Sequence, residues 1–412
     1  MIPVLLLRLY VRARKNRSYL QRWMERLGVY HGNVPAQPLI WIHAVSVGES
    51  MAAVPLIRAL KDNFDEAGIL VTTTTPTGAE TIKRMLGEDI QHVYFPYDLP
   101  HIVRRFLDRF TPMIFVVLET ELWPNTFASC LSRSIPIVLA NARLSERSLK
   151  SYARLPWLSQ ETIRSVDFIA AQTEQDRDRF VALGAAPERI QVFGSVKFDL
   201  ELPPSLHEQA EALRRQLGVN RPILIAGSTR DGEELIVVEA FDMISKRLKG
   251  LLLVLAPRHP ERFDEVAEMC RSRGLAVVRR STRAYCSDET DVYLVDAMGE
   301  LPRFYAASDV AFVGGSLLPY GGHNVLEPAS LGIPVLVGPH TYNFSEICRI
   351  LEIGGALQVV SDEDELARAA LDWLVDSNER DRIGNTGAEI VRQHRGATKR
   401  TVQLIRGILN RG

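Results

Sequence analysis

The chain has 412 residues, of which 46% are hydrophobic and 24% charged, so it is globular in composition and too long for one ordinary core, and two α/β domains are expected. A net charge of −1 argues against a nucleic-acid binder, which would need an excess or a stripe of Lys and Arg. The four cysteines are scattered and form no CxxC pair, which argues against a disulfide framework and against a thiolate metal site.

Residues 1–31 form a basic N-terminal segment. Its first seven residues are apolar, but this run is too short to span a bilayer and lacks the features of a signal peptide. Aromatic residues recur among the charges, which favours an interfacial segment on anionic lipid, with a solvated basic helix as the alternative. The segment contains one acidic residue, Glu25, and its basic residues are Arg8, Arg12, Arg14, Lys15, Arg17, Arg22 and Arg26.

From residue 38 onward, apolar strand-like runs alternate with helical stretches. The runs lack polar alternation, which is typical of strands buried on both faces of a parallel sheet. In the first half, a helix is expected from Glu49 to about Leu60, and strands are expected at 38–45, 69–74, 93–95, 113–118, 135–140, 168–171 and 190–193.

The alternation restarts after a break near residues 195–221. Strands are then expected at 223–226, 251–255, 275–278, 292–295, 310–313 and 335–337, and an Arg-rich helical stretch follows from about Glu379. Two successive βα series predict two doubly wound, Rossmann-like domains facing a cleft, with ligands bound at the carboxyl ends of the strands. The predicted divisions are the basic segment 1–31, a first domain at 32–200, and a second domain at 201–412 that includes the terminal helices.

Two strand ends of the second domain suit a phosphate. At residues 225–234 a Gly/Ser/Thr turn leads into an acidic helix start with free amides, although an ordinary N-cap explains this pattern equally well. Arg258 follows the next strand, and a guanidinium there matches phosphate geometry. Pairing with an acid such as Glu261 is the alternative, which is less favoured because Pro257 and Pro260 stiffen the loop.

The longest signal is the glycine-rich string at residues 312–335. Gly314 and Gly315 follow a strand, where glycine lets the backbone approach a ligand closely. Asn324 and Glu327 are three residues apart at the start of a predicted helix, so both can face the cleft. A helix N-terminus there suits a phosphate, and a carboxylate suits ribose hydroxyls, so the string predicts a nucleotide site.

Three acids and a lysine follow strands of the first domain. Glu49 suits a general base or, equally, a first-turn acid that satisfies the helix dipole. The dipole would lower the pKa of Glu49, whereas burial would raise it. Glu119 and Glu121 precede a helix start with Pro124 in its first turn. Lys197, near the domain junction, suits a donor carboxylate or phosphate, or is surface charge.

Asp176 and Asp178 spell the Asp-x-Asp metal motif of some sugar transferases. They lie within a predicted helix at 174–183, where side chains two residues apart do not face the same way. The nine histidines include no pair at metal-ligand spacing. We therefore expect no metal and no other cofactor.

These motifs resemble those of the bacterial 3-deoxy-D-manno-octulosonic acid (Kdo) transferases. The similarity runs from about Arg12 to about residue 395, and the runs that carry it are 45–49, 119–125, 194–199, 257–262 and 321–328. The resemblance implies a GT-B fold. It also implies inverting, metal-independent transfer of Kdo from CMP-Kdo to the 6′-hydroxyl of the lipid A precursor, lipid IVA, in lipopolysaccharide biosynthesis.

Matched by motif, the resemblance implies that Glu49 is the general base and that Glu119 and Lys197 stabilise the transition state. It also implies contacts to CMP, among which the turn at 298–300 has no signal of its own in the residues. The implied CMP contacts are Pro257, Arg258, Met298, Gly299, Glu300, Asn324, Val325, Leu326 and Glu327.

The implied partners are CMP-Kdo, lipid IVA and an anionic surface at the cytoplasmic face of the inner membrane, and not a nucleic acid. Members of the family usually begin with a spanning anchor of about twenty residues, whereas seven apolar residues precede the first arginine here. Either the start is trimmed or the interfacial segment alone holds the membrane. Two alternatives stay open: a GT-B transferase with a uridine nucleotide donor and a lipid-linked acceptor, and a catalytically silent lipid-binding GT-B module.

Overall fold

The computed structural model describes residues 9–14, 16–32, 34, 37–87 and 90–410. It divides into two compact units: unit 1 is Met1–Asp199 with His394–Gly412, and unit 2 is Leu200–Gln393. Each unit contains a seven-stranded sheet whose neighbouring strands are all parallel. The prediction of two Rossmann-like α/β domains is therefore confirmed.

Unit 1 alternates strands and helices along the chain. Its strands are β1 Leu39–His43, β2 Gly68–Thr73, β3 Gln91–Tyr94, β4 Ile114–Leu118, β5 Ile137–Ala142, β6 Phe168–Ala171 and β7 Ile190–Val192. Residues 9–14 are helical. Between β1 and β7 the helices are α1 Val47–Asn63, α2 Pro76–Leu86, α3 Pro100–Phe110, α4 Pro124–Leu131, α5 Glu146–Tyr152, α6 Pro156–Arg164 and α7 Glu174–Leu183. Short 3₁₀ turns lie at Arg17–Leu20, Trp23–Leu27, Pro187–Arg189 and Val196–Phe198.

The sheet of unit 1 has the order β3-β2-β1-β4-β5-β6-β7. Every residue of β1, β4 and β5 is buried, because helices cover both faces of the sheet at its centre. On one face Trp41 stacks on Phe115 with ring centroids 3.6 Å apart. This burial on both faces of the sheet explains the unbroken apolar runs in the sequence.

Unit 2 repeats the alternation. Its strands are β8 Ile223–Thr229, β9 Leu252–Pro257, β10 Val277–Arg279, β11 Val292–Leu294, β12 Val310–Val313, β13 Val335–Val337 and β14 Leu357–Val359. Its helices are α8 Leu206–Leu217, α9 Glu233–Ser245, α10 Phe263–Ser272, α11 Leu301–Ala306, α12 Leu326–Ser330, α13 Ser345–Ile353, α14 Glu363–Val375 and α15 Ser377–His394, the last of which ends in unit 1. Two 3₁₀ turns lie at Pro260–Arg262 and Arg280–Thr282.

The sheet of unit 2 has the order β10-β11-β9-β8-β12-β13-β14. The edge strand β14 was not predicted from the sequence. It is three residues long and only its first residue is buried, so it lacks the apolar run that marks the central strands.

The end of the chain corrects the predicted domain boundary. The second domain was expected to run to the C-terminus, whereas 394–412 belongs to unit 1. There the helix α16 Ala397–Leu409 buries Val402 and Ile405 in the core of unit 1. Asp199 accepts hydrogen bonds from two amides at the start of this helix, at 2.5 and 2.6 Å. Contacts between residues so far apart in the chain leave no local pattern in the sequence.

The described part of residues 1–31 is likewise not separate from unit 1. Tyr30 lies in the core and packs edge-on against Phe106 and Phe110, with ring centroids 5.6 and 5.1 Å away. Arg26 is only 5% exposed and donates to the carbonyl of Thr74 at 3.0 Å. This packing makes the second half of the segment part of the domain.

Not all of the basic residues are therefore available to an anionic surface. Arg22 forms a two-fold hydrogen bond to the Glu25 carboxylate at 2.7 and 2.9 Å, and Arg26 is buried. The apolar run 1–7, Arg8 and Lys15 lie outside the described residues. Within the described ranges, no helix combines the length and the apolar character needed to cross a bilayer.

Candidate functional site

Glu49 is held at the carboxyl end of β1 by a local network. Ser46 caps helix α1 and accepts a hydrogen bond from the Glu49 amide at 3.3 Å. In return the Glu49 carboxylate accepts from the Ser46 hydroxyl at 3.0 Å and from the Val45 amide at 2.7 Å. This is a form of the capping box, and it gives the carboxylate one defined position.

The structure settles the direction in which the pKa of Glu49 moves. Burial raises this pKa, and the neighbouring Glu119 raises it further, while the hydrogen bonds from Val45 and Ser46 oppose the rise. Burial, one of the two effects that the sequence left open, therefore sets the direction of the shift. A raised pKa makes the ionised carboxylate a stronger base.

Glu119 follows β4 in a strained conformation. Its φ is 58°, a left-handed value that is unfavourable for a residue with a side chain, while its amide donates to the carbonyl of Ala140 at 3.0 Å. Strain of this kind persists where the surrounding structure holds a residue in place, and it is common at functional sites. The turn places the Glu119 carboxylate close enough to Glu49 to raise the pKa of that group.

Lys197 lies in the 3₁₀ turn Val196–Phe198, near the end of the first segment of unit 1, and its charge interacts with Glu119. Burial lowers the pKa of Lys197, Glu119 opposes this effect, and Arg143 adds to it. Arg143 follows directly after β5 and was not among the predicted residues. Its place at a strand end is the signal that would have identified it.

Glu121 completes the group. Burial raises its pKa from 4.5 to about 7, and the charges of Glu49 and Glu119 add to the rise. We call Glu49, Glu119, Glu121 and Lys197 the acidic cluster. Beside it, unit 1 contains a cavity of about 390 Å³ with Glu121 in its wall.

In unit 2, the nucleotide contacts expected from the resemblance gather at the carboxyl edge of the sheet. Arg258 directly follows Pro257, the last residue of β9, and its amide donates to the carbonyl of Thr229 at 2.9 Å. Burial lowers the pKa of His323 and raises that of Glu327, and the charge of the exposed Arg258 acts on both, so Arg258 lies near both. The loop after β9 and the glycine-rich string thus meet here.

Asn324 and Glu327 touch one another. The Asn324 amide donates to the Glu327 carboxylate at 3.1 Å, and its carbonyl oxygen accepts from the amide of Leu326, also at 3.1 Å. Burial raises the pKa of Glu327, while Asn324 and Arg258 oppose the rise. The shared face expected from the spacing of Asn324 and Glu327 is therefore present.

The helix at this point differs from the prediction. Val325 occupies its N-cap position, and α12 is only five residues long. The amide of Leu326 is already bound by Asn324. Few aligned peptide dipoles and an occupied first amide make this a poor phosphate site, so the expected phosphate-binding helix start is not supported.

At 225–234, where free amides were expected, the amide of Arg230 is bound within the chain, and so are three amides of the glycine loop after β12. The carboxylate of Glu233, which is fully buried, accepts hydrogen bonds from the amides of Gly315, Ser316 and Leu317 at 2.6, 2.8 and 2.9 Å. It also accepts from the amide of Arg230 at 2.9 Å. These four amides are therefore not available to a ligand anion.

Gly314, directly after β12, allows two backbone segments to lie close together. A Cβ on Gly314 would lie 2.7 Å from the Cα of Thr229 at the end of β8. The two loops can meet only because this side chain is absent.

The turn at 298–300 follows β11 at the same edge. Gly299 has φ 81°, Met298 is 51% exposed, and Glu300 accepts a hydrogen bond from Arg280 at 3.1 Å and pairs with Arg303. The residues themselves gave no signal for this turn, which was expected from the resemblance alone.

The motif set aside in the sequence is structural. Asp176 is buried, and its carboxylate accepts from the amide of Leu144 at 2.9 Å and from the hydroxyl of Thr173 at 2.6 Å. Asp178, two residues on, is exposed. The two aspartates therefore do not form a pair.

Comparisons with known proteins identify the family and the fold. A family model described as 3-Deoxy-D-manno-octulosonic-acid transferase (kdotransferase) matches residues 21–200, and one described as Glycosyl transferases group 1 matches residues 277–390. A crystal structure of UDP-GlcNAc 2-epimerase from Neisseria meningitidis bound to UDP-GlcNAc is similar in fold, with a TM-score of 0.60 at 14% identity over 89% of this chain and 99% of that one.

Two similar relatives are both named 3-deoxy-D-manno-octulosonic acid transferase. The protein from Haemophilus influenzae is 41% identical and covers 99% of this chain and 96% of its own length. The protein from Bordetella pertussis is 36% identical and covers 98% of this chain and 96% of its own length. The chain belongs to the 3-deoxy-D-manno-octulosonic acid transferase family, a family of glycosyltransferases of lipopolysaccharide biosynthesis with the GT-B fold.

Proposed function

We propose that this Kdo transferase moves Kdo from CMP-Kdo to the 6′-hydroxyl of lipid IVA, with inversion at the anomeric carbon and without a metal. The observation that carries the proposal is the acidic cluster. Glu49 is fixed by two hydrogen bonds to its carboxylate, and its pKa is raised by burial and by Glu119. A carboxylate with these properties suits the role of general base.

The reaction requires one proton transfer and one exchange of bonds. The acceptor hydroxyl gives its proton to Glu49 as its oxygen bonds to the anomeric carbon of Kdo. The bond from that carbon to the phosphate oxygen of CMP breaks, and its electron pair leaves with CMP. Lys197 offsets the negative charge of this transition state. Burial disfavours the charged form of Lys197, and Glu119 opposes that effect.

In unit 2, CMP is assigned to the group around Arg258. The guanidinium suits the phosphate, and the Glu327 carboxylate, held by Asn324, suits the ribose hydroxyls. The remaining contacts are assigned to Pro257, Met298, Gly299, Glu300, Val325 and Leu326. Because Glu233 occupies the amides of the glycine loop, the phosphate depends on side chains more than on backbone.

Metal independence is part of the proposal. Arg258 and Lys197 supply positive charge at the two sites, which is the role that a divalent cation plays in other transferases. In the described ranges, no three His, Cys, Asp or Glu side chains are grouped so that they could hold a metal ion.

The proposed location is the cytoplasmic face of the inner membrane, with peripheral attachment by the basic segment. Arg12, Arg14 and Arg17 are exposed, whereas Arg22 and Arg26 are engaged internally. Each basic residue near an anionic surface contributes about 1 kcal/mol, which salt screens. Flotation with anionic vesicles should therefore fall steeply between low and high salt, and salt-independent flotation would exclude electrostatic attachment.

The test of the function is mass spectrometry of the product formed by the purified enzyme from CMP-Kdo and lipid IVA. We expect lipid IVA that has gained Kdo, together with released CMP. Transfer from a uridine nucleotide sugar, or no transfer, would contradict the proposal. A sample with the 6′-hydroxyl blocked tests the acceptor position, since it should gain no Kdo.

A further inference from the structure

Arg230 and Arg258 follow directly after two neighbouring strands of unit 2. Strands β8 and β9 pair in parallel, and the last residues in register are Thr229 and Pro257. The next residue of each strand is an arginine, and the amide of Arg258 donates to the carbonyl of Thr229 at 2.9 Å. Neighbouring strands lie about 4.8 Å apart, so the two arginines leave the edge of the sheet side by side.

A bulge in β8 lies two residues before Arg230. The paired residues advance by two positions in β8, from Gly227 to Thr229, and by one in β9, so Ser228 is an extra residue. Its φ is 60°, a left-handed value that is unfavourable for a residue with a side chain. Bulges beside active sites commonly redirect a side chain, and such strain persists where the surrounding structure holds it. The bulge therefore contributes to the direction in which Arg230 leaves the strand.

Neither arginine is paired with an acid of the chain. Among the described residues, no carboxylate forms an ion pair with Arg230 or Arg258, and the nearby acids are bound elsewhere. Asp231 and Glu234 both pair with Arg262, at 2.6 and 3.2 Å. Two adjacent cations without counter-charges repel one another, and a ligand with two anionic groups removes this repulsion.

The Arg230 side chain is held in place and is open to a ligand. Its guanidinium lies 4.5 Å from the centre of the Tyr320 ring, and the Tyr320 hydroxyl donates to the carbonyl of Asp231 at 3.3 Å. Arg230 is half-buried, and its guanidinium nitrogens are accessible and make no hydrogen bond among the described residues. A guanidinium can only donate, and a carboxylate accepts from two of its N–H groups at once.

The donor of a Kdo transferase carries two anionic groups on one carbon. Kdo is an ulosonic acid, so its anomeric carbon bears a carboxylate, and in CMP-Kdo the same carbon bears an oxygen of the phosphate. The two anions are therefore neighbours, as the two arginines are. We propose that Arg230 binds the Kdo carboxylate while Arg258 binds the phosphate. The inference rests on the proposed function, in which CMP is assigned to the group around Arg258.

This assignment makes Arg230 the residue that selects a sugar acid over a neutral sugar. His323 lies near both arginines and adds no charge at neutral pH, because burial lowers its pKa to about 4 and the two guanidinium groups add to this effect. A neutral sugar offers no anion to Arg230. Sites that leave a polar group unpaired with the wrong substrate discriminate strongly against that substrate.

The direct test compares the donor with CMP in variants of Arg230. Arg230→Met should raise KM for CMP-Kdo about ten- to a hundred-fold, the equivalent of hydrogen bonds to one charged group, and should leave KM for the lipid acceptor near that of the parent. Calorimetry with CMP, which has no carboxylate, should give an affinity near that of the parent. Arg230→Lys keeps the charge and should recover part of the loss.

A matched control and a modified donor sharpen this test. Arg247→Met removes an exposed arginine just beyond the end of α9 and should change neither KM nor CMP affinity. The methyl ester of CMP-Kdo removes the charge of the carboxylate and keeps the rest of the donor. As a competitor of CMP-Kdo, the ester should bind the parent as weakly as Arg230→Met binds the acid, and Arg230→Met should not distinguish ester from acid.

Three results would overturn the proposal. The first is an unchanged KM for CMP-Kdo in Arg230→Met that is folded, as checked by thermal melting. The second is an equal loss of affinity for CMP, which would place Arg230 on the phosphate. The third needs no variant and applies even if Arg230→Met does not fold: equal binding of ester and acid by the parent would show that the carboxylate has no charged partner.

The outcomes also separate this inference from the proposed function. If the parent transfers Kdo to lipid IVA and Arg230→Met keeps the parent's KM for CMP-Kdo, the carboxylate assignment fails and the function stands. If the parent transfers no Kdo to lipid IVA, but calorimetry without an acceptor shows that Arg230→Met binds CMP-Kdo more weakly and CMP equally well, the function fails and the Arg230 assignment stands.

Discussion

Glu49 in unit 1 and Glu327 in unit 2 occupy similar places and have opposite surroundings. Each lies in the first turn of a helix at the carboxyl edge of a parallel sheet, and burial raises the pKa of each. Beside Glu49 lies another acid, Glu119, which raises the pKa further. Beside Glu327 lie Asn324 and the cation Arg258, which oppose the rise.

Burial is the largest effect on the pKa of both carboxylates, and the charges of their neighbours are what distinguishes the two. An acid next to Glu49 makes proton uptake easier, which suits a base. An amide and a guanidinium next to Glu327 favour its charged form, which suits a fixed hydrogen-bond acceptor. Glu233 is a third case, because four backbone amides satisfy its carboxylate and leave it a structural role.

The largest expected effect comes from Glu49→Gln, which keeps the shape of the side chain and removes its basicity. Turnover should fall about 10²–10⁴-fold, the usual contribution of a positioned general base, with CMP affinity and melting temperature little changed. The control is Glu174→Gln, a change at an exposed first-turn acid of α7. If the Glu49→Gln enzyme turns over within a few-fold of the parent, Glu49 is structural and the comparison with Glu327 fails.

Next in size is the loss of CMP affinity in Arg258→Ala and in Glu327→Ala. Each should weaken binding by about 1.5–3 kcal/mol, the range for hydrogen bonds to charged groups. Calorimetry with CMP measures the effect, and Arg271→Ala, at an exposed arginine of α10, is the control. Unchanged CMP affinity in both folded variants would show that neither Arg258 nor Glu327 binds CMP. The contrast between Glu327 and Glu49 would then have no functional meaning.

A pH-dependent effect is expected at Glu121, whose pKa is raised from 4.5 to about 7. The folded protein holds a proton that the unfolded chain releases, so this contribution to stability is present below pH 4.5 and is lost as pH rises through 7. Glu121→Gln keeps the neutral form at every pH. The variant should therefore lose less stability than the parent between pH 5 and pH 8.

The difference should be roughly 1–3 kcal/mol, since one pKa unit corresponds to about 1.4 kcal/mol and part of the side chain reaches solvent. Denaturant unfolding at the two pH values measures it, with Glu161→Gln, at an exposed acid, as the control. Parallel pH profiles of parent and Glu121→Gln would mean that the acidic cluster does not hold a proton.

The smallest expected effect is that of a chelator. If fixed cations serve both sites, excess EDTA should leave the rate of Kdo transfer unchanged within error. A large loss of activity that magnesium reverses would show that carboxylates of the acidic cluster bind a metal. Glu49 could then not be compared with Glu327 as a metal-free carboxylate.

Much of the fold could be predicted from the sequence, because strands that are buried on both faces of a sheet consist of uninterrupted apolar runs. The predicted bounds of β6, β12 and β13 match the structure, and those of the other predicted strands differ by a few residues at either end. The edge strand β14 escaped prediction because only its first residue is buried.

The site residues could be predicted from the sequence where a motif follows the end of a strand. Glu49, Arg258 and the pair Asn324 and Glu327 lie at the carboxyl edges of their sheets, where the sequence placed them. The sequence cannot show whether an amide is already bound, so it gave no sign that some of the amides expected to face a phosphate are occupied. Glu233 and Asn324 bind the amides in question through the folded chain.

The sequence by itself determined the two parallel sheets, the chemical type of each strand-end residue and, through long ordered motifs, the family. Only the tertiary structure decided that α16 belongs to unit 1, that burial raises the pKa of Glu49, and that Arg26 is a buried cation in a cavity wall. The first set depends on residue types at short spacing, which a chain displays directly. The second depends on desolvation and on charges brought together from distant positions, which exist only after the chain has packed.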